Sequence, residues 1–135
     1  MIALLTRAKG LIARGWCCGD DAKDDEGEPC DPCEAGAKYW SVGGAIALAL
    51  HEMRGGRVAI VPHNERFRHL STVVNLALVM VTFKALLFLK TSVVSYNDNP
   101  QQRSALIRLD LEEAIARLRK IPPAIFTVVA LDPPL

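Results

Sequence analysis

Apolar positions in the first fourteen residues recur at helical spacing. Ile2, Leu4, Leu5, Ala8, Leu11 and Ile12 share one stripe, while Arg7, Lys9 and Arg14 lie off it, which predicts an amphipathic helix ended by Gly15. A second helix is predicted to open at Asp31-Pro32-Cys33-Glu34. There aspartate can cap, proline fits the first helical position and glutamate three residues on completes a capping box. This helix runs to about Arg54 and is stopped by Gly55-Gly56, and the small residues Gly43-Gly44-Ala45 in its middle would let another helix approach closely.

The pattern changes at Arg57 to Pro62, where the β-branched run RVAIVP reads as a strand or an extended connection leading into a polar loop, His63 to His69. Ser71 then caps a third helix, about Thr72 to Lys90, that is apolar nearly all round. Lys84 sits inside this run and Asn75 near its start. A charge at the centre of a membrane span costs about 2.5 to 3.5 kcal/mol, and the segment has little length to offset it. The preferred reading is a central buried helix, with membrane association disfavoured and the Lys84 ammonium escaping to a surface or an acidic partner.

Ser92 to Tyr96 reads as another extended piece. Asn97-Asp98-Asn99-Pro100 signals the start of a fourth helix reaching Lys120, marked by Leu106, Leu109, Ile115 and Leu118, with Glu112, Glu113, Arg117 and Arg119 on its wet side. Pro122-Pro123 ends it, and Ile125 to Ala130 is a further strand candidate that could pair with RVAIVP or Val93 to Ser95. The pattern as a whole predicts one mainly α domain over residues 1–135: four helices with two or three short strands. At 135 residues one core is sufficient, and a 50% hydrophobic composition places the chain among globular rather than disordered proteins.

Charge changes this picture only through its distribution. Gly19 to Glu34 carries eight carboxylates against Lys23 alone, about −7, which leaves about +8 on the remainder of a chain whose total is +1. Such a run reads first as a solvated loop. The polarity also suits a contact between Asp24, Asp25 and Glu26 and basic side chains in the same molecule or a neighbour. The N-terminus lacks the apolar run and cleavage site of a signal peptide, so a cytoplasmic location and reduced cysteines are expected.

All four cysteines fall in the acidic loop at 17–34. Cys30-x-x-Cys33 is a good zinc half-site, and Cys17 or Cys18 could add thiolates, although adjacent cysteines make a poor second half. The acidic run lacks the glycine and terminal glutamate spacing of an EF-hand. Cys30 and Cys33 also have the spacing of a redox pair, but the βαβ context is missing and nearby carboxylates would raise the thiol pKa. His51, His63 and His69 have no metal-helix spacing, and the chain holds no G-x-S-x-G, Walker or dinucleotide pattern. Trp16 and Trp40 read as core aromatics, and Asn97, Asp98 and Arg103 as capping or pairing residues. Arg54, Arg57, Arg66, Arg68 and His69, near Phe67, cluster in the middle loop and could neutralise phosphates, or dock the acidic loop of a neighbouring subunit.

Three groups of residues, Leu11-Ile12-Ala13-Arg14-Gly15-Trp16-Cys17, then Tyr39-Trp40 with Gly44-Ala45, then Tyr96-Asn97-Asp98 followed by Arg103, occur in this order. Together they resemble a family of small uncharacterised bacterial and phage proteins known as a domain of unknown function, over roughly Ile2 to Lys120. The resemblance implies a compact α-rich domain and no activity to transfer. Cys18, Cys30 and Cys33 do not belong to the family pattern, Ser41 stands where cysteine is common, and Gly55 to Val93 is longer than the usual connection. A four-cysteine site would therefore be peculiar to this chain.

These observations lead to a non-catalytic interaction protein, acting by macromolecular binding or by forming a homo-oligomer. Arg57, Arg66, Phe67, Arg68, Asp24, Asp25 and Glu26 are its candidate partner-facing residues, and no cofactor is required. The alternatives are a nucleic-acid binder using residues 54–69 and a zinc module or enzyme using Cys17, Cys18, Cys30 and Cys33.

Overall fold

The computed structural model describes residues 1–53 and 79–120. RVAIVP, the Ile125 to Ala130 strand candidate, the beginning of the third helix and the basic segment at 54–69 lie outside them. The described chain is mainly helical: α1 (Ile2–Arg14), α2 (Val42–Met53), α3 (79–86), α4 (Val93–Asn97) and α5 (Ser104–Leu118), with a two-stranded antiparallel sheet of β1 (Ala22–Lys23) and β2 (Tyr39–Trp40).

The helix α1 forms as its stripe predicts. Leu4, Leu5, Ala8, Leu11 and Ile12 are buried, and Ile2 packs partly against the same core. Burying a leucine or isoleucine contributes roughly 1.5–3 kcal/mol each, so this face is a principal source of stability. It meets Val42, Ala45, Ile46, Ala49 and Leu50 of α2 and Ile107, Leu111, Ala114, Ile115 and Leu118 of α5 in one cluster. Arg7 with Glu52, and Lys9 with Glu112, tie α1 to α2 and α5 at the surface. At Gly15 the backbone is extended, with φ −175°, so glycine is not required there for a left-handed cap. A Cβ would lie 2.3 Å from the Lys38 carbonyl oxygen, and close approach of the second strand is what demands glycine.

The second helix begins later than its capping box suggests. The box itself forms: Asp31 N–H donates to Glu34 Oε1 at 2.7 Å, and Asp31 Oδ1 accepts from Cys33 N at 2.7 Å. Only turns follow it, because Lys38 N donates to Lys23 O and Trp40 N to Gly15 O, drawing Tyr39–Trp40 into β pairing with Ala22–Lys23. Helix α2 starts instead after Ser41, whose Oγ accepts from Gly44 N at 3.0 Å. Both strands thus arise in segments expected to be loop and helix.

Ser92 to Tyr96, expected to be extended, is mostly helical. Ser92 caps α4 by accepting from Ser95 N, and Ser92 O accepts from Tyr96 N. Helix α5 therefore starts at Ser104 rather than at Asn97-Asp98. Its buried residues Ile107, Leu111, Ala114, Ile115 and Leu118 form one stripe, and Leu106 and Leu109 are turned away from it to solvent. The described part of the third helix is not buried all round. Val79 and Phe83 face the core, Val81 and Ala85 face outward, and Lys84 is half-buried at the margin. No helix among the described residues is long and apolar enough to cross a membrane.

Candidate functional site

Residues of the first and third motif groups, with Val42 between the two parts of the second, converge on one polar side chain, Asn97. It sits at the end of α4 with 1% of its surface exposed. Asn97 Oδ1 accepts from Trp16 Nε1 and from the Val42 backbone N, both at 2.9 Å. Its Nδ2 donates to Cys17 O at 3.1 Å and to Asp98 Oδ1 at 2.9 Å. The four bonds use every hydrogen-bonding direction an asparagine amide has. Asp98 Oδ1 also accepts from Gly19 N at 3.0 Å, so neighbouring residues pin both the Trp16-Cys17 segment and the chain that follows it.

Small residues bring that segment close. A Cβ on Gly44 would lie 1.9 Å from the Asp21 carbonyl oxygen, and Ser41 N donates to this same oxygen at 3.0 Å. Gly44 therefore admits a loop backbone, while at Gly43 the expected close approach of another helix is seen, with Met80 Cε of α3 lying 3.0 Å from where a Cβ would stand. Trp40 is buried, with its Nε1 donating to Pro32 O, and Arg14 lies over its ring at 6.0 Å. Tyr96 donates its hydroxyl to Asp110 Oδ2 at 2.6 Å and meets Phe83 edge-on. Burial and the Asp110 carboxylate both hold the phenol well above its ordinary pKa. Asp98 caps the Gly19 backbone instead of a helix, Asn99 accepts from Gln101 N, and Arg103 is exposed.

Beside Asn97 lies a cleft of about 350 Å³, lined by Asp20, Asp21, Ser41, Met80, Val94 and Asp98 among others. The polar atoms of Asn97 and Ser41 at this cleft are committed to backbone and side-chain partners.

The acidic segment is folded back on itself. Asp24 Oδ1 accepts from Glu26 N at 2.9 Å and Glu28 N at 3.0 Å, Asp24 N donates to Glu28 O, and Cys30 N donates to Ala22 O. Asp24 is thus the internal staple, while Asp25, Glu26 and Glu28 are exposed. Lys23 pairs with Asp20 inside the segment at 4.0 Å. Of the sequence-predicted partner-facing residues, Asp24, Asp25 and Glu26 lie together in this turn, whereas Arg57, Arg66, Phe67 and Arg68 lie outside the described residues.

The cysteines are dispersed in environment. Cys17 is buried and donates to Asp20 O, Cys18 and Cys33 are exposed, and Cys30 packs partly against the core. Burial pushes the Cys17 thiol up to about 11, and partial desolvation of the thiol with the Asp31 carboxylate does the same to Cys33, although the residue as a whole is exposed. Desolvation and the Glu34 and Asp24 carboxylates raise Cys30. These shifts disfavour the thiolate, the form that attacks disulfides and binds metals. No group of three or more His, Cys, Asp or Glu side chains among the described residues is placed to hold a metal ion.

Sequence reasoning missed Phe88. It follows α3 with φ +54° and 78% of its surface exposed. Leu89 N donates to Lys84 O and Phe88 N to Ala85 O, the bonding of a Schellman cap, in which the left-handed residue is usually glycine. Arg117 stacks over the Phe88 ring at 5.1 Å, pairs with Glu113 at 2.9 Å and donates to Leu86 O. An apolar helix with phenylalanine where glycine would be expected was the available signal, but the helix end itself is set by the packing of α5.

No curated protein and no solved structure matches the chain. A family model described as a family of unknown function (DUF6197) matches residues 1–117, the span that holds the Asn97 network and all three motif groups. By that match the chain belongs to the DUF6197 family.

Proposed function

We propose that this is a non-catalytic interaction protein that presents its acidic segment, in a fixed shape, to a cationic surface on another macromolecule or another copy of itself. The observation that carries this is the Asp24 staple. A run of carboxylates that merely solvates the surface has no need of a carboxylate spent on two backbone N–H groups. Pre-organising a charged turn reduces the ordering cost of association and so favours binding. The motif residues around Asn97 support the same view, since their polar atoms are engaged in anchoring this segment to the helices.

Shape and charge are separable by experiment. Asp24→Ala and Asp25→Ala each remove one charge, but only the first removes the staple. Immobilised protein is titrated with soluble copies of itself and with a lysine-rich peptide at low and high salt. Salt-sensitive binding that Asp24→Ala weakens several-fold more than Asp25→Ala is the expected result. Equal effects, or no binding at all, would overturn the proposal.

A further inference from the structure

We infer that Phe88, with the basic residues at the ends of α3 and α5, forms a docking surface for the acidic segment of a second copy of this chain, giving head-to-tail association. This rests on the interaction reading above and names the partner.

Three observations lead to it. First, Phe88 combines two unfavourable features, a left-handed backbone and an exposed ring. A phenylalanine there is costly where glycine would be free, and strain of this kind persists only where the surrounding structure over-determines it, and clusters at functional sites. Val81, Ala85 and Phe88, spaced by four and three residues, continue the exposed apolar stripe along α3.

Second, the surroundings are basic. Lys90, Arg119 and Lys120 are exposed next to Phe88 and Arg117 in the chain, and among the described residues the carboxylate paired with Arg117 is Glu113. Arg117 stacked on the ring makes a phenylalanine and guanidinium pair, residue types enriched in protein interfaces relative to the rest of the surface.

Third, the complement is at the other end of the same molecule. The N-terminus of α5 adjoins the C-terminus of α1 through Ser104 Oγ and Ile12 O, next to the Gly15 to Cys17 segment that leads into the acidic segment. The C-terminus of α5 adjoins the end of α3 through Arg117 and Leu86 O. Helix α5, fifteen residues and about 22 Å long at 1.5 Å per residue, holds these two ends apart. Two patches of opposite charge at opposite ends satisfy each other between copies. Such a heterologous contact propagates as a chain or closes as a ring.

The test uses two variants of the full chain, each disabled at one end. Phe88→Asp spoils the docking surface, and Asp25→Asn/Glu26→Gln/Glu28→Gln neutralises the turn while keeping the Asp24 staple. Circular dichroism establishes that both fold, and Phe88→Gly serves as a second docking-surface variant that relieves the backbone. Light scattering of the wild type at low salt should show mass rising with concentration, and the rise should disappear at high salt. Each variant alone should stay monomeric, with self-association weakened roughly tenfold or more. An equimolar mixture of Phe88→Asp and the triple variant should form a one-to-one dimer and stop, because each supplies the end the other lacks.

A mixture that stays monomeric overturns the inference, as does a triple variant that still dimerises alone, which would indicate a symmetric Phe88 interface. Salt-sensitive capture of single-stranded DNA at Phe88 without self-association overturns it in favour of nucleic acid. If the wild type is monomeric but Asp24→Ala still differs from Asp25→Ala toward the lysine-rich peptide, this inference fails and the broader interaction function survives.

Discussion

Asn97 and Phe88 are the two side chains that most violate the ordinary distribution of residues in this fold, and they do so in opposite ways. Asn97 is polar and almost wholly buried, and it is saturated with four hydrogen bonds that tie three segments together. Phe88 is apolar and mostly exposed, on a backbone conformation that a side chain disfavours. A buried polar group tolerated at full satisfaction contributes specificity to the fold, because every alternative packing leaves its partners unpaired. An exposed, strained aromatic contributes nothing of that kind to the folded monomer; its described contact there is the stack under Arg117. The first region explains why the chain folds as it does, and the second is the surface proposed above to meet a second copy.

The largest expected effect is on the first side of this comparison. Asn97→Ala strands Trp16 Nε1, the Val42 N–H and the Cys17 carbonyl, and should lower unfolding free energy by about 3 kcal/mol or more, read as a fall in the denaturant midpoint. A loss below about 1 kcal/mol would mean that water replaces the network and that Asn97 is not its centre. Next comes Gly44→Ala, whose Cβ would press on the Asp21 carbonyl and should cost roughly 1–3 kcal/mol. Gly10→Ala is its internal contrast: the position sits in α1 with open space around it and should gain roughly 0.5–1 kcal/mol. If both alanines behave alike, close approach of the loop is not what Gly44 serves.

On the second side, Phe88→Gly should stabilise the monomer by about 1 kcal/mol while weakening association, since it removes left-handed strain and the docking ring together. Destabilisation instead would show that the Phe88 stack on Arg117 is a structural contact, which would erase the contrast with Asn97.

A smaller effect concerns alkaline pH. Tyr96 and Cys17 both have folded-state pKa values raised above their ordinary ones, the first chiefly by burial and Asp110, the second chiefly by burial. Above the unfolded pKa the unfolded chain loses a proton that the folded chain keeps, so stability is full below that point and falls as pH rises. For Cys17 the window is about pH 9 to 11, and for Tyr96 it begins near pH 10. Urea titrations across this range should show the decline, with Tyr96→Phe flattening its upper part and Cys17→Ala its lower part. A slope unchanged in both variants would place the titrating groups elsewhere.

Local pattern was enough for much of the architecture. The α1 stripe, the mainly helical class and membership in a family of unknown function were all legible, because 3.6-residue periodicity and short motifs survive in one dimension. The second helix shows where this stops. Its capping box formed but did not propagate, since Tyr39 and Trp40 gain more by pairing with Ala22 and Lys23 than by continuing a turn. Leu106 and Leu109 were equally misleading, as apolar residues mark a buried face only when a neighbour covers it.

What the sequence alone determined is therefore the set of amphipathic stripes, the concentration of negative charge between Gly19 and Glu34 and the residue types of the family motifs. Only the tertiary structure decided that the first and third of those motifs meet at Asn97, that Gly15 and Gly44 serve close backbone approach, and that Phe88 stands strained and exposed beside Arg117. The physical reason is range. Periodicity and charge are properties of neighbouring residues, whereas hydrogen-bond saturation, steric clearance and exposure depend on segments separated by as many as 103 positions, as between Lys9 and Glu112, which only the folded chain brings together.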